Sequence, residues 1–245
     1  MRVWITGASS GIGLAMAQHY AREGHEVIIS ARRAETLASA AVTLPAHPLP
    51  LDVTDRDAVH AAVRRIETER GPIDLAILNA GTYVVTPAAE FTTEVAARMM
   101  SVNYFGLCHA LEVLMPLMRA RGRGQIAAMS SLAGYVGLPY AGPYAASKSA
   151  VMRLCESLVS ELARDGVQIS VINPGFVRTP LTDRNDFPMP WIVEADDAAR
   201  WIARDLAAGR FEVRFPRRLA WSMRLLSMLP ERLYFAITKR MLRPA

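Results

Sequence analysis

A tyrosine and a lysine stand four residues apart in the segment PYAASKSA, residues 143–150. Residues at positions i and i+4 of a helix share one face, so the Tyr144 phenol and the Lys148 ammonium are expected to lie side by side. A neighbouring positive charge favours the phenolate and would lower the tyrosine pKa from its usual value of about 10. The pair is therefore a candidate general acid and base for moving a proton.

The choice of lysine at position 148 supports this interpretation. Of the 28 basic residues, only Lys148 and Lys239 are lysines, and all the others are arginines. A compact ammonium fits between a phenol and other hydroxyl groups, whereas a planar guanidinium has a different donor geometry. The sequence thus predicts that position 148 requires a point charge.

A glycine-rich segment, TGASSGIG at residues 6–13, follows a short β-branched run and precedes a helical stretch. Glycines in this context allow a tight turn and a close approach of the backbone to a pyrophosphate, and the helix N-terminus offers unpaired N–H groups. The pattern predicts a dinucleotide site. The alternative is a plain tight turn between a strand and a helix.

Two arginines, Arg32 and Arg33, follow the second predicted strand. An acidic residue at this place would hold the ribose 2′-hydroxyl of NAD, but it would repel a 2′-phosphate. A guanidinium binds a phosphate through two parallel hydrogen bonds. The pair therefore favours NADP(H) over NAD(H), with two solvated arginines in an arginine-rich chain as the alternative.

Seven short apolar runs alternate with longer helical stretches along the chain. This alternation predicts βαβ crossovers and a parallel sheet that is covered by helices on both faces. No linker or repeat divides the sequence, so one domain over residues 1–245 is expected. The predicted strands are Val3–Thr6, Val27–Ser30, His47–Asp52, Leu75–Asn79, Gln125–Ser130, Gln168–Asn173 and Phe211–Phe215, and the predicted helices lie near 11–23, 55–70, 92–119, 144–164 and 196–208.

The composition argues against several other classes of protein. Two cysteines, Cys108 and Cys155, are too few for a disulfide framework or a zinc site, and they are typical of a cytoplasmic protein. The five histidines have no metal-ligand spacing, so no metal site is predicted. No recognition motif accompanies the basic residues, which argues against nucleic-acid binding. The opening residues MRVWITG lack the pattern of a signal peptide.

The C-terminal segment is strongly basic. Residues 200–245 hold 11 basic and three acidic residues, a net charge of +8. Within them, residues 217–243 predict two amphipathic helices that are broken at Pro230. Three roles stay open for these helices: packing on the core or on a second subunit, a lid over a pocket, or weak peripheral contact with a membrane.

Several short motifs occur in order over residues 1–180 and together resemble the classical short-chain dehydrogenase/reductase family. The resemblance implies a single-domain Rossmann fold with a doubly wound, mostly parallel seven-stranded sheet and helices on both faces. It also implies an oxidoreductase that interconverts a carbonyl and an alcohol by hydride transfer. The motifs are TGASSGIG at 6–13, LDV at 51–53, NAG at 79–81, SVNYFG at 101–106, SS at 130–131, YxxxK at 144–148 and NPGFVRT at 173–179.

The resemblance assigns roles to individual residues. Tyr144 would be the general acid and base beside Lys148, Ser131 would bind the substrate oxygen, and Asn103 would hold a water in a proton relay. Asp52 would accept from the adenine amino group. The residues expected to bind the cofactor are Gly7, Ser9, Ser10, Gly11, Ile12, Gly13, Arg32, Arg33, Asp52, Val53, Asn79, Ala80, Gly81, Tyr144, Lys148, Pro174, Gly175, Val177 and Thr179.

The sequence predicts the substrate and the oligomeric state in less detail than the fold and the cofactor site. The segment from about 176 to 192 is expected to be a substrate loop, and its apolar residues favour a lipophilic carbonyl or alcohol. In the resembled family the helices that match 92–119 and 144–164 pair across a two-fold axis, which implies a homodimer or homotetramer. A non-catalytic sensor or scaffold that binds NADP(H) is the alternative function, because a fold alone does not give a function.

Overall fold

The computed structural model describes residues 1–42 and 44–242, and within them seven strands form one parallel sheet. The strand order is β3-β2-β1-β4-β5-β6-β7, and every neighbouring pair is parallel. The predicted α/β class with a doubly wound sheet is confirmed. The strands are β1 (Arg2–Thr6), β2 (Glu26–Ser30), β3 (Ala46–Pro48), β4 (Leu75–Leu78), β5 (Gly124–Met129), β6 (Val167–Pro174) and β7 (Glu212–Phe215).

Helices cover both faces of the sheet. Successive side chains of a strand point to opposite faces, so Val3 and Ile5 pack in one apolar cluster with α1 and α7, while Trp4 packs in another with α3, α5 and α6. These two clusters are the core. The helices are α1 (Gly11–Arg22), α2 (Ala34–Val42), α3 (Arg56–Glu69), α4 (Thr93–Met100), α5 (Gly106–Ala120), α6 (Gly142–Arg164), α7 (Ala195–Ala207), α8 (Arg217–Met228) and α9 (Glu231–Lys239).

The candidate site residues lie where the strands end. The strand order changes direction between β1 and β4, and crevices at such a switch point are the usual ligand sites of open α/β sheets. The glycine turn follows β1, Asn79 follows β4 and Ser131 follows β5, all at the carboxyl edge. The motifs are therefore brought together by the order of the strands.

Local structure differs from the sequence prediction in three places. The strand predicted over His47–Asp52 ends at Pro48, although the Leu49 and Leu51 N–H groups still donate to the Ile29 and Ala31 carbonyls beyond it. Helix α2 was not predicted, since Leu37 is its single buried residue. The helix predicted over 92–119 is interrupted by a π-helical stretch, Ser101–Phe105.

The C-terminal helices pack beside the loop that follows Ser131. Leu132, Ala220 and Met223 form a small buried cluster with Leu219 and Leu138 against it. The Tyr234 hydroxyl of α9 donates a hydrogen bond to the Gly137 carbonyl. The predicted end of the tail at residue 243 lies outside the described residues. In the described chain, no helix is both long and apolar enough to span a membrane.

Candidate active site

The glycine turn between β1 and α1 is tightly packed. Gly7 has a φ of +67°, and a Cβ there would lie 2.8 Å from the Ala80 Cα. A Cβ on Gly13 would lie 2.4 Å from the Gly7 carbonyl oxygen. Only glycine fits at these two positions. Gly11, with a φ of +57°, faces the Thr179 side chain.

The N-terminus of α1 is suited to an anion. Ser9 and Ser10 lead into the helix, Ser10 makes no side-chain capping bond, and the first turn has no acidic residue. Backbone N–H groups and the positive end of the helix dipole therefore remain for a phosphate. Ile12 is half-buried and packs toward the core, so its contribution to this turn is its backbone.

The predicted adenosine end lies beyond β2 and after β3. Arg32 and Arg33 are exposed, and neither has a carboxylate partner in the described part of the chain. The Asp52 Oδ1 accepts from the Thr54 backbone N–H at 2.9 Å and from the Thr54 hydroxyl at 2.8 Å. Val53 is buried against Gly106, where an added Cβ would lie 2.7 Å from the Val53 Cγ2.

Asn79 fixes the glycine turn to β4. Its Nδ2 donates to the carbonyl oxygens of Thr6 and Gly7, each at 3.0 Å. The Ala80 N–H donates to the Thr6 hydroxyl at 3.1 Å. Because the Asn79 amide is bonded to the backbone of Thr6 and Gly7, it holds the glycine turn in position. Thr6 was not predicted as a site residue, although it is the first residue of the TGASSGIG motif.

Tyr144 and Ser131 meet at the carboxyl edge. The Ser131 hydroxyl lies close enough to the Tyr144 hydroxyl to influence its pKa, and the Tyr83 ring packs edge-on against Tyr144 at 4.9 Å between ring centroids. Burial raises the pKa of the Tyr144 hydroxyl to about 12, although the neighbouring Ser131 side chain acts in the opposite direction. The lowering that was predicted from Lys148 is not found in this structure, where desolvation is the largest cause of the shift and Lys148 is not among its causes. Tyr144 accordingly keeps its proton at neutral pH.

Lys148 lies behind Tyr144 and is 3% exposed. Its Nζ donates to the Met129 carbonyl at 2.9 Å and lies 5.8 Å from the centroid of the Tyr144 ring. Burial lowers the pKa of the Lys148 ammonium to about 8. A Cβ on Gly81 would lie 3.4 Å from this Nζ, so the end of β4 closes around the ammonium.

Asn103 lies in the π-helical stretch and is buried. Its Oδ1 accepts from the Thr82 N–H at 2.8 Å, and its Nδ2 donates to the Thr82 carbonyl at 3.0 Å and to the Ser147 hydroxyl at 2.9 Å. Ser147 in turn donates to the Tyr144 carbonyl at 2.8 Å. Asn103 thus ties the segment after β4 to the first turns of α6. The water-holding role stays a prediction.

The segment after β6 closes the other side. The Ser131 hydroxyl donates to the Pro174 carbonyl at 3.4 Å, and the Gly175 N–H donates to the Phe215 carbonyl at 2.7 Å. Val177 is buried and bridges to Val193. The Thr179 N–H donates to the Thr182 hydroxyl at 3.0 Å. These bonds hold both ends of the predicted substrate loop.

A network around Glu212 was not predicted from the sequence. The Glu212 carboxylate accepts from the Tyr135 hydroxyl and from the Asn173 Nδ2, the latter at 2.8 Å. Arg214 donates to it at 3.1 Å, and Arg224 of α8 lies 3.7 Å away. The network ties the loop after Ser131 to β6 and β7. Its members are far apart in the chain, so no spacing could have revealed it.

No group of three or more acidic, histidine or cysteine side chains that could hold a metal ion occurs in residues 1–42 and 44–242. Cys108 is half-buried and Cys155 is buried, and both are free thiols.

The chain is similar to known oxidoreductases. A family model described as short chain dehydrogenase matches residues 1–187. An uncharacterized oxidoreductase of Myxococcus xanthus (strain DK1622) is 36% identical over 242 residues, which are 97% of this chain and 96% of that protein. A solved short-chain dehydrogenase from Streptomyces avermitilis has a TM-score of 0.85 at 25% identity, covering 98% of this chain and 96% of its own. A solved actinorhodin polyketide ketoreductase variant with NADPH has a TM-score of 0.81 at 26% identity, covering 89% of this chain and 97% of its own.

Proposed function

Because the chain belongs to the short-chain dehydrogenase/reductase family and is therefore a dehydrogenase or reductase that uses a nicotinamide cofactor, we propose that it reduces ketones or aldehydes with NADPH. The observation that carries this proposal is that the Tyr144 and Ser131 hydroxyls lie side by side at the carboxyl edge, with the Lys148 ammonium 5.8 Å from the centroid of the Tyr144 ring. The alternative of a non-catalytic sensor has no support from the oxidoreductases to which the chain is similar.

The residues at the carboxyl edge fit the cofactor. The N-terminus of α1 offers N–H groups to the pyrophosphate, and Pro174, Gly175, Val177 and Thr179 supply the opposite wall. When it is bound, the cofactor supplies the hydride. Asn79 and Ala80 keep the glycine turn in shape through their bonds to Thr6 and Gly7.

The preference for NADPH rests on Arg32 and Arg33. Both are exposed at the end of β2, and no carboxylate among the described residues neutralises them. Two unpaired guanidinium groups attract a 2′-phosphate, and Arg binds phosphate oxygens in a fixed fork geometry.

The protein's part in the reaction is to orient the carbonyl and to supply a proton. Ser131 donates a hydrogen bond to the carbonyl oxygen, and Tyr144 donates the proton that this oxygen needs as negative charge develops on it. With a pKa of about 12, raised by burial, Tyr144 is fully protonated at neutral pH. Lys148 is the nearby cation that stabilises the phenolate left behind, since its ammonium lies 5.8 Å from the ring centroid.

The proposed substrate is a lipophilic carbonyl compound. The segment from 176 to 192 brings Phe176 and Phe187 into edge-on contact at 5.9 Å, and it leaves Leu181 and Trp191 partly exposed. On the other side, Leu132 and Leu138 line the loop after Ser131. Apolar walls with a few polar groups are typical of small-molecule sites.

A panel of ketones, aldehydes and secondary alcohols tests the proposal. Oxidation or reduction of the cofactor is followed by its absorbance, with NADPH and NADH in parallel. We expect reduction of apolar carbonyl compounds with NADPH at a kcat/KM well above that with NADH. No turnover of any carbonyl or alcohol with either cofactor would contradict the proposal.

The enzyme is proposed to form a homodimer or homotetramer through α5 and α6, because Phe105, just before α5, is exposed and Leu154 and Leu158 of α6 are only partly buried. It is proposed to work in the cytoplasm, where two free cysteines are stable as thiols.

A further inference from the structure

The outer side of α8 and α9, residues 217–242, is here called the tail surface. It holds eight of the 15 large apolar side chains that are exposed in the described chain. On α8, Trp221, Leu225 and Met228 are spaced i, i+4 and i+7, so they form one stripe, and their exposed fractions are 57%, 60% and 74%. Exposed apolar side chains that are clustered in this way mark an interaction surface. The other five are Leu233, Phe235, Ile237, Met241 and Leu242.

The stripe contributes little to packing of the helix on its own protein, apart from the Trp221 ring, which lies 5.4 Å from the Arg214 guanidinium. The opposite side of α8 already buries Ala220, Met223 and Leu226. Leu219 on that side also packs at Gly175, where an added Cβ would lie 2.6 Å from its Cδ2. Helix α8 is therefore anchored by one face and presents a second apolar face to its surroundings.

The tail surface is also strongly cationic. Residues 217–242 contain six basic residues and one acidic residue, Glu231. Arg224 is paired with Glu212, but the other five have no carboxylate partner among the residues that the structure describes. Those five are Arg217, Arg218, Arg232, Lys239 and Arg240, and all of them are exposed.

We infer that the tail surface binds an anionic lipid surface peripherally. Arginine and lysine attract acidic headgroups, while tryptophan, leucine and methionine side chains enter the boundary between headgroups and acyl chains. A second copy of the chain is a poorer occupant. A two-fold contact would bring the same unpaired cations of both copies face to face, and no acidic patch of the segment would meet them.

The helices of the tail surface contact the loop after Ser131 and the segment after β6. Tyr234 of α9 holds the Gly137 carbonyl, and Leu219 of α8 packs on Gly175. The helices that touch lipid are thus the ones that support the substrate side of the site. Binding to lipid is measured without turnover, so the inference stands or fails independently of the proposed function.

The test is co-sedimentation of the full chain with vesicles of phosphatidylcholine alone or with phosphatidylglycerol. We expect binding to the anionic vesicles at low salt, loss of binding at high salt, and little binding to phosphatidylcholine alone. The Leu225→Glu, Met228→Glu double variant should lower the partition coefficient at least about tenfold. The matched control is Val42→Glu with Phe91→Glu, which adds the same charge at exposed apolar positions elsewhere and should bind like the parent protein.

Folding of each variant is checked by circular dichroism and thermal melting. If the Leu225, Met228 variant does not fold, Arg217→Gln with Arg218→Gln replaces it, against Arg64→Gln with Arg98→Gln as control. Failure of the parent protein to bind anionic vesicles at low salt would overturn the inference. Equal losses of vesicle binding in the test and control variants would also overturn it. A fall in oligomeric mass in the tail variant alone would do the same, because this face would then be a subunit contact.

Discussion

At the scale of single residues, burial shifts the pKa values of the proposed catalytic pair. Tyr144 and Lys148 stand at helical spacing, and the sequence alone suggests a tyrosine made acidic by its neighbour. In the folded chain both groups are withdrawn from water, so the pKa of Tyr144 rises to about 12 and that of Lys148 falls to about 8. Both shifts favour the neutral form, as desolvation requires. The Tyr144 hydroxyl therefore keeps its proton at neutral pH.

Lys148 should leave a signature in the pH dependence of stability. Burial lowers its pKa to about 8, whereas an unfolded chain keeps the proton to about 10.5. Between these values the unfolded state binds more protons, so the free energy of unfolding gains a positive slope with pH. Relative to Lys148→Met, we expect the parent protein to gain stability from pH 8 to 10 in urea unfolding. If the parent protein and Lys148→Met showed the same pH dependence over this range, the shift would be contradicted.

Arg32 should control the choice of cofactor. Hydrogen bonds to a charged group contribute about 1.5–3 kcal/mol each, so Arg32→Ala should weaken NADPH binding about tenfold or more. NADH has no 2′-phosphate, and its binding should change little. Isothermal titration of both cofactors measures the difference, with Arg64→Ala as an exposed arginine control. Equal affinity of the parent protein for NADH and NADPH would refute this account of Arg32 and Arg33.

At the scale of elements, the loop after Ser131 is held in place by Glu212, a residue that belongs to none of the sequence motifs. Tyr135 lies in this loop, and its hydroxyl bonds to Glu212 at the start of β7. Tyr135→Phe should therefore raise KM for the carbonyl substrate several-fold while the Kd of NADPH stays the same. Tyr20→Phe makes the same change in a buried ring of α1, away from this loop, and should leave KM unchanged. A Tyr135→Phe enzyme with parental KM would show that the bond does not position the loop.

The elements also show what the sequence could and could not predict. The alternation of β-branched runs and helical stretches was sufficient to predict the parallel sheet. The spacing of Tyr144 and Lys148 was sufficient to predict that their side chains lie on one face of a helix. The π-helical stretch around Asn103 could not be predicted, because its apolar neighbours continue the pattern of α4 and α5. Glu212 could not be found either, since only the pairing of β6 with β7 brings it to Asn173. Bonds between distant segments depend on tertiary packing and leave no local pattern.

At the scale of the whole molecule, assembly is expected to use α5 and α6. Leu154 and Leu158 are only partly buried in the single chain, and a subunit contact would cover them. The parent protein should have a mass of at least two 26.9 kDa chains by light scattering at micromolar concentration. Leu158→Glu should lower that mass, because it puts a charge into an apolar contact. Ser160→Glu, on the exposed side of α6, is the control. A single-chain mass for the parent protein would rule out this assembly.

The most direct test of the central claim is the rate of NADPH-dependent carbonyl reduction by Tyr144→Phe. The change keeps the ring against Tyr83 and removes the proton that the carbonyl oxygen needs. General acid catalysis contributes about 10²–10⁴-fold, so kcat should fall by that factor while the Kd of NADPH stays near the parental value. Turnover by Tyr144→Phe at the parental rate would contradict the account, because another group would then supply the proton.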